Sequence, residues 1–400
     1  MNTTRRTQVV VAGAGPVGSV AAAYLAQQGI DVVLCETGHD CAQDLRASTF
    51  HPPTLEMLDE LGVTSKLIEM GLKAPVYHWR DRKSGEVLSF DLSEISDVTR
   101  YPFRIQCEQY HLARMLSSRL EEEQQAEVLF GHRVTFFEQD ADGVDVHVET
   151  AIGIEKIRAD YLIGADGANS LVRKWLGIEF DGFTYPERFL TLSTEYPIDQ
   201  AMPGLAYVNY VSDPQEWLVL LRVPSVWRVL VPADEEDEKF LLSDAKKNQV
   251  FDGIMGDGAQ VETQHRTIYR VHQRVAKKFN HGRVLLVGDS AHLNNPLGGF
   301  GMNSGIHDAF NLCSKLVEVI KEGADAALLE KFDRQRRKVT FDFTQRQTME
   351  NMEIMRAGQG EAHKKRREAM ESLAGDDEKR RRYLLRQAMF ESLEQAASID

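Results

Sequence analysis

The residues with the clearest chemical potential form the segment Gly13-Ala14-Gly15-Pro16-Val17-Gly18, between the apolar run 9–12 and an alanine-rich stretch. In a strand–turn–helix setting, Gly13 permits the tight turn, Gly15 lets the backbone approach a pyrophosphate, and Gly18 lets the helix pack against the strand. The N-terminus of that helix offers free N–H groups and a partial positive charge to the phosphates. The segment therefore predicts the binding of a dinucleotide.

A carboxylate follows at the distance that this kind of site requires. Glu36 ends the next predicted strand, 18 residues after Gly18. Such a side chain accepts hydrogen bonds from the adenosine ribose hydroxyls and repels a 2′-phosphate, so FAD or NAD is favoured over NADP. The alternative is a glycine-rich turn without a ligand, against which the strand, the helix and Glu36 argue together.

Two later segments place an aspartate after an apolar run. The run 161–165 leads into Asp166 and Gly167, and the run 284–287 leads into Gly288 and Asp289. The first carboxylate can organise its loop by accepting backbone N–H bonds, and taken alone it indicates a structural turn more than a site. The second can bind a hydroxyl of a polyol. The glycine-rich stretch after it lets backbone N–H groups approach a flat ring, toward which the following helix directs its positive end.

A parallel sheet has to position these segments, and the periodicity of the sequence predicts one. Residues 8–12 and 31–35 are short β-branched runs on either side of the helix 18–28, which makes a βαβ unit. Further helices are predicted over 53–61, 65–70, 109–123 and 304–320, and further strands over 128–137, 144–150, 161–163 and 284–287.

From about residue 183 to residue 232, strand-like runs are separated by Pro, Asp and Ser, which predicts an antiparallel second sheet. The tail from about residue 329 is helical, and its basic runs 364–367 and 379–382 are interpreted as solvated helix faces.

The predicted fold is mixed α/β: a Rossmann-like FAD-binding domain with a parallel sheet, interrupted by an antiparallel-sheet substrate domain and followed by C-terminal helices. The predicted boundaries are 1–75, 106–182 and 276–328 for the FAD-binding domain, 76–105 and 183–275 for the substrate domain, and 329–400 for the C-terminal helices.

The amino-acid composition limits the kinds of partner and compartment that are expected for this protein. The net charge is −14, from 47 basic and 61 acidic residues, so nucleic acid is not expected as a partner. Four cysteines without metal-finger or CxxC spacing predict no metal and a reduced, cytoplasmic compartment. The apolar run near the N-terminus resembles a signal peptide, but the glycines of the phosphate loop interrupt it. No segment offers the ~18 uninterrupted apolar residues of a membrane span.

Together the three segments resemble the class A flavoprotein monooxygenases, the aromatic hydroxylase family related to p-hydroxybenzoate hydroxylase. The resemblance covers most of residues 8–320. It implies that the first segment and Glu36 bind the ADP part of FAD. It also implies that Asp166 and Gly167 form a motif used for both FAD and the nicotinamide cofactor, and that Gly288 and Asp289 form the motif on the ribityl chain.

The same resemblance implies further contacts with FAD, and one position departs from the family pattern. The implied residues are Arg46 near the flavin, Gln106 on the ribityl chain, Val134, and Pro296, Gly299, Gly301, Met302 and Asn303 along the isoalloxazine edge. Asn295 stands where many relatives have a second proline.

The chemistry that the resemblance implies is hydroxylation of a small phenolic or N-heterocyclic compound with O2, through a flavin C4a-hydroperoxide. NADH or NADPH is expected to bind transiently, because no second phosphate loop follows a strand. Tyr207, Tyr210 and Pro296 are the candidate catalytic residues. Alternation places the two tyrosines on opposite faces of a strand, with the inward face undetermined, and aromatic residues in a sheet are mostly core.

Several alternatives stay open from the sequence. One is an FAD-dependent reductase or oxidase without oxygen insertion, and another is a non-catalytic FAD-binding regulator. The intact ring-facing loop at 296–305 favours a reactive flavin over the regulator. A halogenase is disfavoured, because Trp217 and Trp227 do not form the Trp-x-Trp-x-Ile-Pro motif of such enzymes. The charged C-terminal helices are expected either to form a homodimer surface or to wrap the fold.

Overall fold

The computed structural model describes residues 5–43, 47–213, 216–233, 237–256, 258, 260–356 and 361–400, with the backbone alone at 362 and 363. The strands are β1 (Arg5–Ala12), β2 (Val32–Glu36), β3 (Thr49–Phe50), β4 (Leu72–Ala74), β5 (Val76–Asp81), β6 (Val87–Asp91), β7 (Arg104–Gln106), β8 (Ala126–Phe130), β9 (Arg133–Gln139), β10 (Val144–Thr150), β11 (Gly153–Gly164), β12 (Phe180–Thr194), β13 (Val208–Ser212), β14 (Leu218–Arg222), β15 (Trp227–Ala233), β16 (His265–Ala276), β17 (Asn280–His281), β18 (Val284–Leu286) and β19 (His292–Leu293).

The helices are α1 (Pro16–Gln27), α2 (Pro52–Glu60), α3 (Thr64–Met70), α4 (Gln109–Leu120), α5 (Leu171–Trp175), α6 (Ile198–Ala201), α7 (Glu238–Leu241), α8 (Asp244–Met255), α9 (Phe300–Lys321), α10 (Ala327–Val339), α11 (Arg346–Met355), α12 (Glu361–Ala374), α13 (Asp377–Gln387) and α14 (Phe390–Ala397). Short 3-10 turns cover Leu92–Ile95 and Gly288–Ser290, and a π-helical segment covers Thr340–Gln345. No helix within the described ranges is long and apolar enough to cross a bilayer.

The first sheet is the predicted parallel one. Its main strands lie in the order β17, β18, β11, β1, β2, β8, and β1, β2, β8, β11 and β18 run parallel. Val9, Val10 and Val11 are completely buried. A strand that is covered on both faces needs consecutive apolar residues instead of an alternation, which is the pattern that the sequence shows at 9–12. The predicted mixed α/β class is confirmed.

A single predicted strand over 128–137 is wrong, because the chain forms two strands there. Gly131 lies between β8 and β9 and has a φ of +69°, a left-handed conformation that ends the first strand at little steric cost. β8 continues parallel to β2, whereas β9 turns away and pairs antiparallel with β10.

The second sheet has the strand order β19, β16, β12, β15, β14, β13, β5, β6. Among its described strands, the pairs are antiparallel apart from β5 and β13, where Tyr210 lies opposite Trp79 in a parallel register. A parallel pair needs a long connection, and here four of the eight strands of the first sheet, β8 to β11, are inserted between the two strands. The predicted antiparallel sheet is confirmed, and the parallel pair of β5 and β13 was not predicted from the sequence.

A small third sheet joins β3, β7 and β4. Its strand β7 carries Gln106, which pairs with Thr49 of β3 and with Leu72 of β4. In the predicted division of the chain, β7 falls where the part 76–105 meets the part 106–182, although it belongs to neither large sheet. The domain boundaries stay a prediction.

The C-terminal helices wrap the body of the fold. Leu384 of α13 is fully buried, and Arg380 and Arg381 form ion pairs with Glu94 (2.9 Å) and Asp97 (2.7 Å). The interpretation of this basic run as a solvated helix face is therefore wrong for Arg380, whose side chain is 19% exposed, whereas Arg381 keeps 37% of its side-chain surface exposed. Their acidic partners are distant in sequence, so local charge patterning gave no sign of the pairing.

A buried carboxylate joins the end of the first sheet to two long helices. Asp308 of α9 is fully buried and accepts hydrogen bonds from the Gly288 N–H (3.1 Å), from His292 Nε2 (2.7 Å) and from Arg336 Nε of α10 (2.7 Å). Burial alone would raise the pKa of Asp308, but His292 and Arg336 outweigh it and lower the pKa below its ordinary value. The stabilisation is therefore present above the ordinary carboxyl pKa and is lost as the pH falls through the lowered one.

We expect Asp308→Asn to destabilise the protein by about 3 kcal/mol, because it leaves the buried Arg336 without a counter-charge. The shift of the urea unfolding midpoint measures this effect. Asp342→Asn is the matched control, since Asp342 forms only an exposed i,i+4 pair with Lys338 and such pairs contribute little. Equal midpoint shifts in the two variants would contradict the assignment.

Candidate active site

The three segments singled out in the sequence meet at one edge of the first sheet. In the parallel register, Ala12 of β1 lies beside Gly164 of β11, and Gly164 lies beside Leu286 of β18. Because the strands run in the same direction, the loops that follow them leave from the same edge. Ligands of open α/β sheets bind at this carboxyl edge.

Close contacts between the loops explain why glycines occupy them. Gly13 has a φ of +102°, and a Cβ there would lie 2.6 Å from the carbonyl oxygen of Ala165. A Cβ at Gly305 would lie 2.6 Å from the side chain of Val17, which also borders Gly288. The first and second segments therefore touch each other, and the first also touches the third.

The phosphate loop has an open side. Gly15 is the N-cap of α1, with an ordinary φ of −68°, and a Cβ placed on it would meet nothing within 4 Å. Pro16 begins the helix, and neither a side-chain cap nor an acidic residue occupies the first turn. Glu36 accepts the N–H of Ala14 and of Gly38, each at 2.8 Å, and keeps lone pairs for the hydroxyls of a ribose.

The Asp166 carboxylate organises the second loop and has one unused oxygen. Its Oδ2 accepts the N–H groups of Leu171 (2.7 Å) and Val172 (3.1 Å) at the start of α5. Its Oδ1 is buried without a hydrogen-bond partner among the described residues. Burial raises the pKa of this carboxyl. Gly167 follows with a φ of +76° and open space around it.

The ring-facing loop ends in the N-terminus of α9, which begins four residues before the helix predicted at 304–320. Gly299 caps α9 with a φ of +71°, without a side-chain cap or an acid in the first turn. The amide of Asn303 donates to the carbonyls of Thr49 (2.8 Å) and Gly299 (2.7 Å), and its oxygen accepts the His51 N–H (3.0 Å). Asn303 thus fixes the loop to the segment after β3, while Gly301 is half-buried and Met302 is buried in the same first turn.

Asn295, at the position where many relatives have a proline, forms hydrogen bonds that a proline could not form. Its backbone N–H donates to Gln273 Oε1 (3.0 Å), and its amide donates to the Thr348 carbonyl (2.8 Å) and to the Tyr185 hydroxyl (3.2 Å). Its amide oxygen accepts the N–H of Leu297 (3.1 Å). A proline has no N–H and no such side chain, so this chain joins the loop to β12, β16 and α11 through hydrogen bonds.

The remaining residues of the predicted FAD site lie as follows. Gln106 is fully buried, its Oε1 accepts from the Thr49 hydroxyl (3.0 Å), and its Nε2 has no partner among the described residues. Asp289 is exposed after β18, and Val134 is buried in β9 opposite Val148. Arg46 lies outside the described residues.

The residues present fit a bound FAD. Two helix N-termini without caps suit its pyrophosphate and the polar edge of its ring. Gln106 Nε2 is a donor and Asp166 Oδ1 is an acceptor, and both are buried without a partner among the described residues. Leaving such groups unsatisfied costs free energy, which hydrogen bonds to a bound cofactor would recover. These residues would hold the cofactor along the carboxyl edge of the first sheet.

An aromatic cluster adjoins the ring-facing loop. Tyr77, Tyr210 and Leu297 belong to one apolar cluster on the inner face of the second sheet, and Tyr77 and Tyr210 meet edge to face at 6.3 Å. Tyr210 therefore faces inward, which alternation alone left undetermined. Tyr207 precedes β13 and is 41% exposed.

Two residues of this region were not identified from the sequence. Tyr383 of α13 lies against Phe90 and beside Tyr77, and nothing in the charged tail indicated that it would. Arg104 lies two residues before Gln106 on β7 and is 1% exposed. Period-two alternation puts these two side chains on the same face of the strand, so Arg104 could have been found from Gln106.

One group among the described residues has the geometry of a metal site: Cys107, Glu108 and His111. Burial raises the pKa of the Cys107 thiol to about 12. The Glu108 carboxylate already accepts a hydrogen bond from the Ser225 hydroxyl, and no metal is assigned to this group.

We expect Gly15→Ala to fold normally and to weaken FAD binding on the order of 10-fold or more, because its Cβ occupies the space that a pyrophosphate needs. Gly13→Ala is the matched comparison and should destabilise the apoprotein itself, because it is strained and too close to Ala165. Thermal unfolding of the apoproteins and FAD fluorescence titration separate the two effects. An unchanged FAD affinity in Gly15→Ala would contradict the placement of the phosphates.

Comparison with known proteins agrees with this geometry. A family model described as an FAD binding domain matches residues 6–347. The chain is 33% identical over 378 residues to para-nitrophenol 4-monooxygenase of Pseudomonas sp. (strain WBC-3), with 92% of each chain covered. It is 30% identical to 6-hydroxy-3-succinoylpyridine 3-monooxygenase HspB of Pseudomonas putida (strain DSM 28022 / S16), with 87% of this chain and 88% of that protein covered.

Among solved structures, p-nitrophenol 4-monooxygenase PnpA from Pseudomonas putida DLL-E4 has a TM-score of 0.91 at 30% identity and covers 98% of this chain and 99% of its own. Anhydrotetracycline hydroxylase OxyS from Streptomyces rimosus has a TM-score of 0.78 at 27% identity, with 96% of this chain and 76% of its own covered. The chain therefore belongs to the FAD-binding family of class A flavin monooxygenases, and it is a flavoprotein monooxygenase.

Proposed function

We propose that the protein uses NADH or NADPH and O2 to hydroxylate a small phenol or hydroxypyridine. The observation that carries this proposal is the contact between the ring-facing loop and the aromatic cluster, since Leu297 packs in the same cluster as Tyr77 and Tyr210. A substrate among these tyrosines would border the flavin. The relatives named as monooxygenases of para-nitrophenol and of a hydroxypyridine support the same substrate class.

Bound FAD would supply the redox chemistry, taking electrons from the nicotinamide and activating O2. The protein's part is to position the ring and to adjust protons on the substrate. The Pro296 carbonyl accepts the Gly299 N–H (3.1 Å) and retains a second lone pair. In the proposal this lone pair accepts a hydrogen bond from the hydroxyl group that oxygen insertion adds to the ring.

The tyrosines divide into two hydrogen-bond donors and a candidate proton relay. Burial raises the pKa of Tyr77 and of Tyr383, so these hydroxyls stay protonated and act as hydrogen-bond donors. Tyr210 is half-buried beside them and is the proposed relay: its hydroxyl accepts a hydrogen bond from the substrate hydroxyl and passes the proton to solvent, which leaves the substrate as its oxygen anion. A reductase or oxidase without oxygen insertion is the second candidate, and it would need none of these proton-transfer groups.

The test of the function is the fate of O2 during turnover. With 4-nitrophenol, other phenols and hydroxypyridines as a panel, we expect at least one compound to accelerate NADH or NADPH oxidation and to acquire oxygen-18 from labelled O2. Mass spectrometry of the product and a peroxide assay measure the two fates of O2. Peroxide without labelled product for every compound would favour the reductase or oxidase, and a protein that cannot be loaded with FAD would favour the regulator.

The two tyrosine candidates are separated by a pair of variants. We expect Tyr210→Phe to lower kcat/KM by about 100-fold, the typical contribution of a positioned acid or base. Tyr207→Phe should change kcat/KM far less, because that side chain is 41% exposed and outside the cluster. Stopped-flow and steady-state rates across pH measure both, and a larger loss in Tyr207→Phe would reverse the assignment.

A further inference from the structure

Arg104 carries a buried charge without an acceptor. The side chain is 1% exposed, and Nε and both Nη atoms have no hydrogen-bond partner among the described residues. Other buried arginines are different: Arg336 pairs with Asp308, and Arg173 donates to the carbonyls of Ser290 and Ala168. A buried charge that is neither paired nor hydrogen-bonded is strongly unfavourable.

The neighbours of Arg104 are aromatic and uncharged. Its guanidinium lies 4.3 Å from the centre of the Tyr77 ring, and this cation–π contact recovers only part of the cost of burial. Burial raises the pKa of Tyr77 and of Tyr383, so neither supplies an anion. Burial and the charge of Arg104 lower the pKa of His51 well below its ordinary value, so that imidazole is neutral.

Arg104 lies between the cofactor loops and the aromatic cluster. On β7 it shares a strand face with Gln106, whose unpaired Nε2 is part of the proposed FAD site. Tyr77, whose ring faces the guanidinium, also lines a cavity of about 20 Å³ together with Tyr210 and Tyr383. That volume holds about one water, so it suits an oxygen substituent and not a whole ring.

We infer that Arg104 binds the anionic oxygen of the aromatic substrate, with the hydroxyls of Tyr77 and Tyr383 as additional donors, so that the enzyme selects phenols and hydroxypyridines in their ionised form. A guanidinium offers five N–H donors in a fixed plane and forms strong charge-assisted bonds with an oxygen anion. The inference rests on the proposed function and deepens it, because it names the charge state of the substrate.

The first test is binding to the FAD-loaded enzyme without NAD(P)H, followed by the flavin difference spectrum. 4-Nitrophenol is the ionisable probe and 4-nitroanisole is the neutral one. We expect Arg104→Met to weaken binding of 4-nitrophenolate by about 10- to 100-fold and to leave 4-nitroanisole binding nearly unchanged. The nitrophenolate absorbance should also show that wild type binds the anion at a pH below its solution pKa, and that the variant does not. Arg104→Lys keeps the charge and should recover part of the affinity.

The second test measures thermal stability, because a binding role and a structural role of Arg104 predict opposite changes of the thermal midpoint when the side chain is replaced. Without substrate, Arg104→Met removes an unpaired buried charge, so we expect the thermal midpoint of the FAD-loaded enzyme to rise by about 2–4 °C. Arg336→Met is the matched control, and its midpoint should fall because Asp308 loses its partner. A fall in Arg104→Met as large as that of Arg336→Met would overturn the inference in favour of a structural role.

Two further outcomes would also overturn it. Equal losses for 4-nitrophenol and 4-nitroanisole would show that the charge is not recognised. A loss of FAD affinity with unchanged 4-nitrophenol binding would assign the guanidinium to the flavin. The proposed function fails separately, if no phenol or hydroxypyridine perturbs the flavin spectrum of the wild-type enzyme or gains oxygen from O2.

Discussion

The fully buried carboxylate of Asp308 is the constraint on which the cofactor edge depends. An ionised group without water must be surrounded by donors, and here the donors come from the Gly288 amide, from His292 and from Arg336. They can meet only if β18, α9 and α10 converge at one point. Once they do, the loop after β18 and the N-terminus of α9 are held beside the phosphate loop, where Val17 contacts the glycines of both.

The parts of the site that depend on local sequence were predictable. A phosphate loop is defined by backbone conformation over a few residues, so the glycine pattern at 13–18 and the aspartates at 166 and 289 indicated the same sheet edge that the structure shows. Pairing across long distances was not predictable. The inward face of Tyr210 depends on β5, and the position of Tyr383 depends on contacts between α13 and β6 that no local pattern encodes.

Asn295 illustrates how a departure from the family pattern changes a connection without removing it. A proline stiffens a loop through its own ring, whereas Asn295 stiffens it through partners on β12, β16 and α11. The ring-facing loop is thereby connected to the second sheet and to the tail. Its geometry follows from the surrounding structure more than from its own backbone.

The pairing of distant strands also bears on how the enzyme is made. β1 pairs with β11, β11 pairs with β18, and β5 pairs with β13. Because these partners are far apart in sequence, the chain has a high contact order and is expected to fold slowly. During synthesis, the valines of β1 leave the ribosome long before the strands that cover them. The cofactor edge is complete only after α9 and α10 have emerged. FAD can therefore act on this chain as a late ligand of a nearly finished fold, and not as a template for its first strands.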